Sequence, residues 1–479
     1  MPDWFARRYI AVGANGIRPE VVTAAAGAGL GLVAAYMVVH GSATRAAGVA
    51  ALPLVVFLLL RPSRGLAFGL VLILALPSWW AFAGRHAYQI GALLAVLSAL
   101  PPRRMRLKFA DYVVAFYMAD VVLGWLLQYD QPQTWHIILS YLVPVGYYIG
   151  ARAIPSSRIF GFMTLTLLAG TVGALTVIYE FIQGHVIFSD PSRYFWNAAD
   201  GALFRPGGVY GSPPGAATVL SYVFFFGLAS LCVLRGRTKQ LGVVCLGTCS
   251  LALILTFTRG NLIGVGIGLI LFLWLLRSPL LHPWRAVPCI VPIATGLLVV
   301  LPIVEQNQAF REAIVRPGNL TAREGYWQLA LPIATANVHN LVVGVGTGAL
   351  ETERVADRTS LPFSMATTPQ VYSDSLHSQY ITNLVEQGVI GVVALLLLLL
   401  AGFVPAARAA RATGDAAYAA LAASILAMAV GSTVITSLLH QPSLIMLLVA
   451  TGLAATATSD QNVRAGNLRA VRSNDRATV

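Results

Sequence analysis

One pattern fills most of this chain: runs of apolar residues about as long as a bilayer is thick. Residues 66–83, 159–178, 262–276 and 389–403 are examples. A helix crosses the hydrocarbon core with about 20 residues, and inside lipid its backbone groups need partners within the segment. The runs therefore predict helices. They lack the short alternating strands of a membrane barrel. Only 11% of the 479 residues are charged and 57% are hydrophobic, against about a quarter charged in soluble domains. Such a chain cannot cover a water-facing surface, which excludes the soluble classes.

Spans are expected near 21–39, 46–60, 65–83, 87–101, 109–128, 135–152, 158–180, 215–234, 240–257, 261–276, 286–303, 384–404, 415–436 and 443–458. The fold class is then an all-α polytopic membrane protein of about fourteen transmembrane helices. A large, partly helical periplasmic loop lies between the eleventh and twelfth. Residues 1–458 form a single transmembrane domain that includes outer loops 183–215 and 304–383. The polar, basic segment 459–479 reads as a disordered cytoplasmic tail. Residues 1–20 show no signal-peptide pattern, so the first span is expected to be an uncleaved anchor.

The net charge of +13 would point to nucleic acid in a soluble protein. Here the basic residues sit between spans, and the membrane accounts for them. Alternate loops divide the cations unevenly. One set holds 22 of the 32 lysines and arginines; the other holds Arg45, Arg85, Arg193, Arg205, Arg259, Arg311, Arg316, Arg323, Arg354 and Arg358. The positive-inside rule places the first set, and both termini, in the cytoplasm. Arginines on the outer face then need a reason of their own. The cysteines, Cys232, Cys245, Cys249 and Cys289, lie in apolar runs and form neither a disulfide framework nor a zinc motif.

Both outer loops exceed the roughly 15 residues that a loop without a role rarely passes, and both carry candidates. Arg205 lies in Phe204-Arg205-Pro206-Gly207-Gly208-Val209-Tyr210, leading into a span. Glycine and proline force an irregular backbone there, and arginine can grip a phosphate through two donors. An arginine snorkelling to headgroups is the alternative. Arg259, in Thr256-Phe257-Thr258-Arg259-Gly260, lies between two spans with almost no loop. A charge so near hydrocarbon is costly and tends to be functional. Arg323 opens a helix-like stretch whose face would also hold Trp327 and Ala330; ordinary solvated surface is the alternative. His377, in Asp374-Ser375-Leu376-His377-Ser378-Gln379-Tyr380, can exchange a proton near neutral pH or serve structure alone. Glu351, Glu353 and Asp357 read as solvated charge, Asp120 as an intramembrane acid, and Gly344–Gly348 as a glycine run without a phosphate-loop context.

Together these pieces resemble the O-antigen ligase and O-antigen polymerase superfamily over roughly residues 200–400. Arg205 through Pro214 resembles the arginine–glycine–Asn-Pro segment before a span. Residues 256–260 resemble the serine-rich SRG turn, with Thr258 in place of serine. Residues 341–350 resemble the GVGxG segment of the large loop. His377 through Gly391 resembles the histidine, then Glu-x-Gly-x-x-Gly, segment entering the next span, with Ser378 where asparagine is usual.

The resemblance implies an inverting, metal-independent glycosyltransferase without a cofactor. Its donor would be an undecaprenyl-diphosphate-linked glycan, its acceptor a hydroxyl of a sugar or lipid-linked glycan. It would work on the outer face of a bacterial inner membrane, among membrane lipids and without nucleic acid. By resemblance, His377 would be the base, and Arg259 and Arg323 would act on the diphosphate at the reacting centre. Arg205, Gly208, Tyr210, Trp327 and Tyr380 would bind substrate. A polymerase shares the donor and the site; a flippase or transporter needs charged or broken helices at mid-membrane.

Overall fold

Apolar runs whose backbone has no water to bond to should close their hydrogen bonds within themselves. The computed structural model describes residues 62–75, 84–99, 107–126, 134–188, 204–276, 327–328, 330–349, 378–434 and 442–456, and over these it is all-helical. The helices are α1 (Pro62–Ala75), α2 (Gly84–Ala99), α3 (Phe109–Leu126), α4 (Thr134–Arg152), α5 (Ile159–Gln183), α6 (Pro213–Val233), α7 (Gly236–Leu255) and α8 (Arg259–Leu276). Beyond a helical stretch over 330–335 follow α9 (Val338–Val343), α10 (Gln379–Thr413), α11 (Ala416–Gly431) and α12 (Pro442–Thr456).

Among the described residues six helices are long and apolar enough to cross a membrane: α3, α5, α6, α7, α8 and α10. This is a membrane protein. Every expected span that falls on described residues coincides with a helix, although the count of fourteen is not established. The expected spans 21–39, 46–60 and 286–303, the tail 459–479, residues 189–203 of the first outer loop and most of the second lie outside the described residues. Two loop boundaries move. Helix α6 begins at Pro213, inside the expected loop 183–215, because Ser212 caps it and accepts from the Gly215 N–H at 3.1 Å, with proline in the first turn. Helix α10 begins at Gln379, inside the expected loop 304–383.

Helix α6 is the axis of the bundle and is buried along nearly its whole length. It packs against α5, α7, α8 and α11. The closest seam joins α8 to α11, where side chains are almost absent. A Cβ placed on Gly264 would stand 2.2 Å from the Ala427 carbonyl oxygen, and one on Gly268 would stand 2.8 Å from that of Ala423. Small residues let membrane helices approach in this way, since lipid gives no hydrophobic reward for association. Large apolar side chains such as Leu93, Leu175, Val244, Ile270 and Leu400 face outward, as a lipid-contacting belt requires.

Helices joined by short connections, such as α4 and α5, α6 and α7, α7 and α8, or α10 and α11, run in opposite directions, so the bundle has two distinct ends. At one end Arg152 bonds Asp111 through two nitrogens, each at 2.9 Å. There Lys108 donates to the Ala455 carbonyl, and the Arg411 guanidinium lies 4.1 Å from the centre of the Trp274 ring. Arg64, Arg158, Arg235, Arg237, Lys239 and Arg408 occupy helix ends on the same side. The opposite end is cation-poor: among the described residues it holds Arg85, Arg205 and Arg259.

Candidate functional site at the cation-poor end

The site starts with a carboxyl group where local rules disfavour one. Glu180 lies in the last turn of α5, next to the negative end of the helix dipole, and it is fully buried. Its position makes sense through its partners. Oε1 accepts the N–H groups of Ile187 and Phe188 at 3.0 and 2.8 Å. Oε2 accepts those of Gly207 and Gly208 at 3.1 and 2.7 Å. One turn earlier, Thr176 Oγ1 accepts from the Val209 N–H at 3.1 Å. Three successive backbone donors that no helix or strand would satisfy are thereby bonded to one face of α5.

The anchored segment delivers Arg205 to the connection between α7 and α8. Arg205 Nε donates to the Thr256 carbonyl and Nη2 to Thr258 Oγ1, each at 3.0 Å. That connection is as tight as its sequence implied. Phe257 adopts φ 50°, a left-handed conformation uncommon outside glycine, and its ring lies 6.1 Å from that of Phe181 on α5. Arg259 follows at once as the first residue of α8. Its Nη2 is buried and has no hydrogen-bond partner among the described residues. Two residues on, Asn261 Nδ2 donates to Thr218 Oγ1 of α6 at 2.9 Å, fixing the start of α8 against the bundle axis.

The start of α10 reaches the same end. The Gln379 N–H donates to the Ser432 carbonyl just past α11, at 2.9 Å, and a Cβ on Gly431 would stand 2.9 Å from Asn261 Oδ1. Ser378, which follows His377 in the chain, is thus linked through α11 to the start of α8. His377 and Arg323 themselves lie outside the described residues, as do Glu351, Glu353, Asp357 and His440.

The remaining expected site residues divide. Gly208 donates its N–H to Glu180 and forms part of the Arg205 loop. Tyr210 is buried, its hydroxyl 3.5 Å from the Gly170 carbonyl; it wedges the loop into the core. The Tyr380 hydroxyl donates to the Ala429 carbonyl at 2.9 Å, tying α10 to α11. Trp327 is half-buried at the edge of the stretch leading to 330–335. His185 and His339 are exposed.

A third feature lies deeper. Helix α10 is broken at Gly388 (φ 64°, ψ −162°), and the break frees the carbonyls of Val385 and Glu386. The glycine loop fills the vacancy: Val345 N–H donates to the Val385 carbonyl at 2.9 Å and Gly346 N–H to that of Glu386 at 2.8 Å. These two donors, which a phosphate loop would offer to a ligand, are spent inside the protein. Thr347 then donates to the Val121 carbonyl of α3 at 3.2 Å and accepts from Gln387 Nε2 at 3.4 Å. Asn383 Nδ2 in turn donates to Gln387 Oε1 at 2.8 Å. Asp120, one residue before Val121, is buried with Oδ2 unpartnered among the described residues.

Glu180, Thr176, Asn261 and Ser432 were not singled out from the sequence. Only Glu180 left a signal there, as an acid at the end of a long apolar run. No group of three or more metal-ligating acids, histidines or cysteines occurs among the described residues.

Residues 241–396, about a third of the chain, match the family model described as O-antigen ligase. The match runs from α7 through the Thr256–Arg259 connection, the glycine loop and the Gly388 break. No curated protein matches the chain. The chain is a membrane protein whose residues 241–396, which include Arg259 and most of the two helices on either side of it, are similar to the O-antigen ligase family model.

Proposed function

We propose that this protein moves a glycan from undecaprenyl diphosphate to an acceptor hydroxyl on the outer face of a bacterial inner membrane. The observation that carries the reading is the Arg205–Thr258–Arg259 arrangement. One guanidinium is fastened to the turn that presents a second, and the second has a buried nitrogen without a partner among the described residues. Such a nitrogen loses its hydration without compensation. An anionic oxygen arriving from the headgroup region restores the missing bond, and a diphosphate supplies several such oxygens in the geometry arginine prefers.

The chemistry then needs little else. His377 takes the proton from the acceptor hydroxyl as its oxygen attacks the anomeric carbon of the donor sugar. The new C–O bond forms on the face opposite the leaving group, inverting the configuration. The old bond to the diphosphate oxygen breaks, and the electron pair leaves with the lipid diphosphate. Arg259 and Arg323 stabilise the charge developing on that oxygen, usually the largest single catalytic contribution. Arg205 holds the diphosphate and the turn together. No metal ion enters this scheme. The uneven distribution of cations between the two bundle ends supports a cytoplasmic cation-rich end.

The test is transfer in proteoliposomes given an undecaprenyl-diphosphate glycan and a candidate acceptor. Arg259→Ala and His377→Ala are expected to fold and to lose transfer. Full transfer by either variant would defeat the mechanism, and movement of donor across the bilayer without transfer would replace it with a flippase. Products lengthened on the lipid carrier would assign the enzyme to chain polymerisation.

A further inference from the structure

We infer that Glu180 is a positioning residue for the transfer site, acting on the diphosphate through Arg205; this rests on the donor reading above. Glu180 falls outside the matched segment 241–396, and no part of the proposed reaction uses it. Its geometry is nonetheless specific. It is 0% exposed, and its two oxygens divide their bonds between two separate chain segments: Ile187 and Phe188 on Oε1, Gly207 and Gly208 on Oε2. An acid at a buried helix C-terminus works against the dipole. Breaking a local rule in this way marks a residue held for something other than stability.

The position of the Arg205 guanidinium depends on this clamp. Gly207 and Gly208 lie two and three residues beyond Arg205, and Val209 is held by Thr176 on the same face of α5. With these donors bonded, the segment reaches the Thr256–Thr258 turn in one register, and Arg205 meets that turn with two nitrogens. Without them the segment keeps its Tyr210 wedge but loses the restraint nearest the arginine. A displacement of about 1 Å at a positioning group can cost a hundredfold in rate.

Glu180→Gln separates this role from a general contribution to folding. The substitution keeps the volume but turns one acceptor oxygen into an NH2 donor. Either amide orientation sets that donor against two backbone N–H groups, so one of the two segments must come free. The experiment follows hydrogen–deuterium exchange at residues 187–188 and 207–209, and binding of undecaprenyl diphosphate, with the full-length protein in nanodiscs. Four proteins are compared: wild type, Glu180→Gln, Arg205→Ala and the double variant.

Exchange should accelerate in one of the two segments and stay unchanged at 256–258. Binding should weaken about tenfold in Glu180→Gln, the equivalent of roughly one to two lost hydrogen bonds, and should not weaken further when Glu180→Gln is added to Arg205→Ala. An equal loss on both backgrounds, or unchanged exchange, overturns the inference. Faster exchange in a protein whose wild type binds no undecaprenyl diphosphate would instead remove the donor reading and leave the clamp standing. If Glu180→Gln does not fold, Thr176→Val releases the Val209 N–H and, within α5 itself, the hydroxyl's bond to the Gly173 carbonyl. It should weaken binding about threefold, again only while Arg205 is present; no effect there also overturns the inference.

Discussion

Arg205 is hydrogen-bonded to Thr258, the residue immediately before Arg259. The two arginines come from different loops and approach the bundle from different helices. Between Thr258 and Arg205 the sequence separation is 53 residues. This contact and the bond from Arg205 Nε to the Thr256 carbonyl together hold the first guanidinium beside the turn that carries the second.

Thr258→Val keeps the branched shape and removes the oxygen that receives Arg205 Nη2. A hydrogen bond from a charged group contributes about 1.5–3 kcal/mol, so transfer should fall about tenfold or more. Thr258→Ser restores the oxygen and should restore the rate. Steady-state transfer in proteoliposomes measures both, with a melting curve to show that the fold is intact. Equal rates in Thr258→Val and wild type would remove the contact from the working site.

Gly388→Ala should be one of the most damaging single substitutions in the chain. The residue sits at φ 64°, and a Cβ there would lie 2.4 Å from the Val342 carbonyl. Strain of this kind costs on the order of 1–3 kcal/mol before any clash is counted. Straightening α10 to relieve it would recapture the carbonyls that bind Val345 and Gly346, and so release the glycine loop. Thermal unfolding in detergent should show a clear loss for Gly388→Ala.

The side-chain-poor seam makes its own prediction. Gly264→Val drives atoms into the Ala427 carbonyl and should separate α8 from α11, destabilising by about 1–3 kcal/mol. Gly247→Ala on α7 has nothing within 4 Å of the new Cβ. It should hold or slightly raise stability, because alanine is the better helix former. Melting temperatures of the pair, measured in the same detergent, test whether close packing sets the difference.

Orientation can be checked with single cysteines in a cysteine-free background. Residue 185 is exposed at the cation-poor end and residue 238 at the cation-rich end. A membrane-impermeant maleimide added to spheroplasts should label His185→Cys and spare Thr238→Cys until the membrane is opened. The reverse pattern would put the arginine site in the cytoplasm.

Much of this was legible in the chain, for identifiable reasons. Apolar runs of bilayer length leave the backbone no choice but helix, so most of the spans that fall on described residues could be placed within a few residues. Arg259 stood out because almost no loop separates it from hydrocarbon. What stayed hidden depends on contacts distant in sequence. Glu180 is one acid at the end of a long span, and nothing local says that Gly207 and Gly208 will come to it. The Gly388 break was hidden differently. Glu386-Gln387-Gly388 read as polar lead-in to a span, whereas helix α10 begins nine residues before that glycine, and the polar stretch is buried against α3 and the glycine loop. The residues of the glycine loop were visible, but their N–H groups proved to be already engaged with α10.

The tight connection at Thr256–Arg259 has one more consequence. A hinge with no slack cannot reshape itself around different cargo. The pyrophosphate grip at the bilayer edge would then be a fixed chuck, indifferent to which sugars hang from the lipid. Recognition of those sugars would have to be written in parts farther from the membrane, where the chain can vary without loosening its hold on the carrier.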